Sequence, residues 1–266
     1  ATHGRSFWMI DDLTPLHQLN NDIINDEAVL YKPDISYRLA QSGGWRKPNT
    51  LLVGENHPNG VIINYYLKNY KKNDFVKIDI LKKDGSIIRS FANDKNKLKI
   101  NSNKPVLSNE NDIDYALSAS NIKSINPHSG GNKLVWDMRY PGFIAFDGMV
   151  LYSSPNTGPK AVPGKYDVLL TYNDLKIKKE FEVIKDPRVT NSQDEYDSQL
   201  DFLLKVRDEV SNANQTIIDI RKIKSDLEYL KNKVSDKKQI TDLINEFKDK
   251  LEVIENKIHM TKNQSR

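Results

Sequence analysis

The hydrophobic residues of this chain change period near residue 190, and no other feature narrows its fold as far. Before that point the repeat is two, the spacing of a strand with one face buried. Val61, Ile63, Tyr65 and Leu67 share one face, as do Val76, Ile78 and Ile80. Lys83-Asp84-Gly85 predicts a hairpin into Ser86–Phe91, because Asp-Gly supplies the positive φ of a tight turn. Leu134, Trp136, Met138 and Tyr140 alternate with Lys133, Val135, Asp137 and Arg139. Tyr166, Val168, Leu170 and Tyr172 lead through Asn173-Asp174 into Leu175, Ile177, Phe181 and Val183, the clearest hairpin in the chain. Strands at this spacing, with no helical period between them, predict an antiparallel sandwich of the immunoglobulin or fibronectin kind over 25–188.

Two stretches interrupt that pattern. Residues 92–126, rich in Asn, Ser, Lys and Asp with short apolar pieces such as Ile113–Leu117, read as an insertion or long loop. Residues 140–163 carry the chain's densest set of Gly and Pro and read as an ordered but irregular loop.

After Asp186-Pro187-Arg188 the period becomes helical. Val206, Val210, Ala213, Ile217, Ile220 and Leu227 form one stripe with a gap at Lys224, and Ile240, Ile244, Phe247, Leu251, Ile254 and Ile258 form another. Ser192 with Glu195 makes a capping box for the first helix, and Ser235 or Asp236 is the expected cap of the second. The break is short, so the helices are antiparallel neighbours over 189–266. A coiled-coil dimer would also use such stripes, but an intramolecular hairpin closes at lower entropy cost. A hairpin leaves one side of each stripe uncovered, which calls for a third helix or a docking surface. The fold class expected is therefore mixed, all-β followed by all-α.

The chemistry available is limited by composition. The 266 residues contain no Cys, so disulfides, thiolate metal sites and Cys nucleophiles are excluded. Lys+Arg 40 against Asp+Glu 36, with lysines interspersed among acids, is no nucleic-acid footprint, and no apolar run approaches a membrane span. His3, His17, His57, His128 and His259 are scattered without metal-ligand spacing, so neither a metal nor a cofactor is expected. The nucleophile elbow, the P-loop and the dinucleotide fingerprint are absent. Asp11 and Asp12 are adjacent; on a strand continuing from Ser6–Ile10 they would point to opposite faces and could not flank one glycosidic bond. A turn or cap role before Leu13-Thr14-Pro15 is expected instead. Of the three tryptophans, Trp136 has core parity, and Trp8 belongs to the opening strand. Trp45, together with Tyr140 and Phe143 in the Gly/Pro-rich loop, is left as a candidate ligand-lining group.

Several strings carry a family resemblance. The opening Ala1-Thr2-His3-Gly4-Arg5-Ser6-Phe7-Trp8-Met9-Ile10-Asp11-Asp12-Leu13 resembles the last propeller strand of bacterial secreted Asp-box (BNR) repeat proteins with a sortilin-like β-propeller, usually labelled glycosyl hydrolases. Leu30-Tyr31-Lys32-Pro33, Asn132–Gly142 with its Trp136-Asp137-Met138-Arg139-Tyr140-Pro141-Gly142, Pro163-Gly164-Lys165-Tyr166 and Asp186-Pro187-Arg188-Val189 match in order. The middle part also resembles the immunoglobulin-like module of flagellar hook-assembly proteins. The resemblance implies that 1–24 is a closing propeller strand and linker, that the propeller and any active site lie upstream in the same polypeptide, and that the protein is secreted, periplasmic or on the cell surface. The Asp-box pattern itself is absent here, so no catalytic residue carries over. Three functions are consistent with these readings: a non-catalytic C-terminal accessory region, part of a glycoside hydrolase whose site lies in the propeller, or a module that docks a protein or carbohydrate partner.

Overall fold

A computed structural model describes residues 12–21, 23, 25–39, 57–94, 122–149, 151, 156–234 and 237–259. Nine strands and three helices are described: β1 (Ala28–Leu30), β2 (Ser36–Arg38), β3 (Val61–Leu67), β4 (Val76–Leu81), β5 (Ile87–Ala92), β6 (Lys123–Ser124), β7 (Gly130–Trp136), β8 (Gly164–Tyr172), β9 (Leu175–Lys185), α1 (Thr14–Gln18), α2 (Gln193–Lys233) and α3 (Lys238–Ile258). The fold class is mixed: sheets followed by long helices.

The strands form two sheets, one ordered β1-β3-β7 and the other β2-β9-β8-β4-β5-β6. Inward residues of both, among them Ile63 and Leu67 from the first and Ile78, Val168 and Phe181 from the second, belong to one hydrophobic cluster with Trp136 at 0% exposure. Both hairpins form where turn chemistry placed them. Gly85 has φ +89° between β4 and β5, and Asn173 has φ +50° in the two-residue turn joining β8 to β9. The uniformly antiparallel sheet expected from the sequence needs correction, because β2 runs parallel to β9 and β6 parallel to β5. These edge strands span three and two residues, too short for any period to show. The end of the expected 92–126 insertion thus joins a sheet, with Ile122 buried; 95–121, including Ile113–Leu117, lies outside the described residues. Strand β7 stops at Trp136, short of the expected reach to Tyr140, because Met138 takes a left-handed backbone (φ +58°); burial nonetheless alternates through Met138 and Tyr140. The expected inward face of β9 also shrinks, since Leu175 is exposed.

The expected boundary at 188/189 is crossed by packing. Leu200 of α2 enters the sheet cluster with Leu204 packed against it, and Arg38 stacks on the buried Tyr196 ring at 4.7 Å. The Ser192/Glu195 capping box forms as expected. The second helix starts differently: its cap position is Lys237, which makes no side-chain capping bond, while Ser235 and Asp236 lie outside the described residues.

Acid sensitivity follows from three aspartates. Burial raises the Asp167 carboxyl, but Lys83 at 2.7 Å and Lys178 at 2.9 Å outweigh it and leave the group below its usual range. Asp186, bonded by the Arg188 guanidinium and backbone N–H, is held at about 2. Asp12 is likewise depressed. Each contributes stability that is complete above the ordinary aspartate value of about 3.9 and is lost as pH falls through the depressed folded value. The urea midpoint is therefore expected to hold from pH 7 to 5 and drop steeply between pH 4 and 2. An unchanged midpoint at pH 2 would contradict these assignments.

Candidate functional site

Among the described residues, three places bring chemistry or exposed apolar surface together. The first is a cleft of about 260 Å³ beside α1, whose lining includes Asp12, His17, Asp34, His57 and Ile62. Sequence reasoning missed this grouping because its named members are separated by up to 50 positions. Asp12 serves as the expected turn residue: one oxygen accepts from the Thr14 N–H at 3.0 Å and the other from the Asn64 amide at 2.8 Å. Burial pushes its carboxyl up, yet these bonds and the Lys133 charge prevail, so it stays ionised. Asp34 accepts from the Ile35 N–H. His57 Nδ1 lies 3.0 Å from the Pro58 carbonyl, which can only accept, so the proton sits on that nitrogen. The carboxylates are committed to their own backbone and to Asn64, an arrangement that shapes the turn into α1. Among the described residues, no group of three or more His, Asp or Glu is placed to hold a metal ion.

The second place is the loop expected at 140–163. Tyr140 is only 2% exposed, inside the sheet cluster, with the Lys82 ammonium 5.7 Å from its ring centroid. Phe143 is half-buried, and its backbone N–H and carbonyl are both bonded by the Asn156 side chain. Trp45 and Asp11 lie outside the described residues. The structure thus does not bring Tyr140 and Phe143 to one open cleft. It uses the loop as a clamp on α2 instead. The Ile144 N–H donates to Ser211 Oγ at 3.1 Å, the Asn214 amide donates to the Ile144 carbonyl at 2.6 Å, and Arg221 donates to the Asp147 carbonyl at 2.9 Å. The Arg221 guanidinium also stacks on Phe146, whose ring meets that of His259 just past α3. Buried Ser211 and Asn214 are the sequence signal for this clamp: small polar residues weaken a helix and favour exposure unless a partner satisfies them.

The third place is the outer face of the hairpin. The helices touch along a seam of charged and polar pairs: Arg221 and Lys224 with the buried Glu255 at 2.9 and 3.0 Å, and Lys231 with Asn245 at 2.9 Å. Burial raises the Glu255 carboxyl, and the two cations more than offset it. Ile217, Ile220, Ile244 and Leu251 are buried along this seam. As expected for a two-helix hairpin, one side of each stripe stays uncovered. Ile240, Phe247, Ile254 and Ile258 of α3 remain open, Phe247 at 48% and Ile254 at 46%, beside Ile223 and Leu230 of α2. Val206 is exposed too, and Phe202 on the same side of α2 reaches 66%. Two helices in contact shield only the facing halves of their stripes; the remainder points away from the loop clamp.

Fold and sites together define a mixed α/β protein in which a two-sheet core carries a clamped helical hairpin with an open apolar face. Comparison with protein-family models, with curated proteins and with solved structures finds no match to this chain. Among the described residues, no helix is long and apolar enough to cross a membrane.

Proposed function

We propose that this chain is a non-catalytic accessory region of a larger secreted protein, in which an immunoglobulin- or fibronectin-like sandwich holds a helical hairpin in place for docking. The observation that carries this reading is the contrast between the two sides of the hairpin. One side is fixed by the buried bonds of Ser211, Asn214 and Arg221 to the loop. The other offers Phe247, Ile254, Ile223 and Leu230 to solvent. Contiguous apolar surface on an otherwise lysine- and acid-rich exterior marks an interaction face. The sandwich assignment is supported by two sheets that share one core. The propeller of an Asp-box protein, the cell exterior as location and a place after the propeller's last strand belong to the same proposal and rest on the strings quoted above. The purified chain is expected to turn over no member of a broad glycoside panel. Activity abolished by Asp12→Ala or Asp137→Ala would overturn the non-catalytic reading.

A further inference from the structure

We infer that the occupant of the open hairpin face is a second copy of this chain, bound in parallel to make a four-helix bundle; this rests on the docking reading above. The argument is one of register and charge. Within the hairpin, Arg221 faces Glu255, Glu228 faces Lys248 and Lys231 faces Asn245, so each step up α2 is matched by an equal step down α3. By that register Asp226 lies level with Lys250, and Asp219 level with Lys257.

At about 100° per residue, the apolar strip of α2 is bounded on one side by Arg221 and Glu228, which face α3, and on the other by Asp219 and Asp226. The strip of α3 is bounded on one side by Lys248 and Glu255, which face α2, and on the other by Lys250 and Lys257. The positions that border the strip on its free side are therefore acidic on α2, at Asp219 and Asp226, and basic on α3, at Lys250 and Lys257, with Lys222 and Lys233 of α2 and Glu246 of α3 one row further out. Among the described residues Lys250 pairs with the exposed Glu246, the two side chains 67% and 60% exposed and the pair of little energetic weight.

A two-fold axis along the hairpin sets α2 of one copy beside α3 of the other at the same levels. Asp226 and Asp219 then meet Lys250 and Lys257 of the second copy, and Phe247, Ile254, Ile223 and Leu230 of both copies close into one core, the self-complementary contact a two-fold requires. The alternative axis, across the hairpin, sets α2 beside α2 and α3 beside α3. It opposes acid to acid and lysine to lysine, which selects against it. The loop clamp and the sheets lie on the opposite side of α2 and leave the face clear.

Sedimentation of the full chain is expected to show a reversible dimer. Phe247→Glu, at an exposed position that the monomer's fold does not need, should weaken it roughly thirtyfold or more, the effect of losing a central anchor. Lys250→Asp with Lys257→Asp should also dissociate it, and adding Asp219→Lys with Asp226→Lys should restore it, a rescue that general destabilisation would not give. Because the chain has no Cys, Asp226→Cys with Lys250→Cys reports orientation without background: a disulfide between position 226 of one copy and position 250 of the other, identified by peptide mapping, supports the parallel bundle, and a 226–226 or 250–250 link, or none, overturns it. A chain that stays monomeric at its highest attainable concentration overturns the second-copy assignment. Hydrophobic-dye binding by that monomer, lost in Phe247→Glu, would show that the docking reading survives; a monomer without such binding removes both.

Discussion

Trp136→Ala is expected to lower the unfolding free energy by about 3–5 kcal/mol, read as a fall in the urea midpoint at constant slope. The indole is fully buried where the two sheets meet. Its ring stands edge-on to Tyr166 at 5.9 Å and to Phe181 at 6.1 Å, and its Nε1–H donates to the Arg139 carbonyl at 3.1 Å. Truncation would remove both ring contacts, leave that carbonyl without its donor and open a cavity that the surrounding strands could not close. Gly60 packs against the backbone of the same residue, and a Cβ there would strike the Trp136 carbonyl oxygen, so the chain has no slack to move inward. Against a typical total of about 5–15 kcal/mol, the loss takes a large share of the stability. A change under about 1 kcal/mol would mean that the two sheets do not depend on one shared core.

Gly158→Ala is the second large effect. A Cβ at this position would land on the carbonyl oxygens of both Tyr140 and Pro141, which are backbone and cannot swing aside. The two arms of the loop are held together there by the Tyr140 N–H on the Pro159 carbonyl at 2.9 Å and the Ala161 N–H on the Met138 carbonyl at 2.7 Å. Arg139 adds a guanidinium bond to the Gly158 carbonyl at 2.8 Å. Forcing the arms apart should cost about 1–3 kcal/mol or more, as overpacking does. It should also loosen the clamp on α2, since Ile144 and Asp147 hang from the same arm. Hydrogen exchange is expected to quicken in α2 from Ser211 to Arg221 while the β4–β5 hairpin keeps its protection. Uniform quickening of both would show that the loop has no special tie to the helix.

Much of the fold was legible where its causes are local. Asp84-Gly85 and Asn173-Asp174 set their turns through conformations that those residues adopt readily, and the Ser192/Glu195 box closes over one helical turn. What escaped notice depends on distant partners. Strand β2 exists because Ser36 meets Val183, far along the chain, and its three residues carry no pattern of their own. Leu200 enters the sheet core from a helix whose stripe, read alone, lies on another face. The cleft residues Asp12, Asp34 and His57 converge only after the sheet has formed. On α3 the periodicity located the apolar stripe and the short break predicted a single neighbouring helix, so the half-covered stripe, with Phe247 and Ile254 open, was legible as well.

The two ends of the six-stranded sheet have a consequence for behaviour in solution. A sheet that stops on a long, flat, apolar edge offers unpaired N–H and C=O groups to other chains and seeds aggregation. Here the described terminal strands are β2 and β6, three and two residues long, and they contribute Arg38 and Lys123 to the margin. Such brief borders give an incoming strand too few groups to pair with. Partial unfolding at neutral pH is therefore expected to leave this protein refoldable, with fibril growth slow so long as β2 and β6 stay in place.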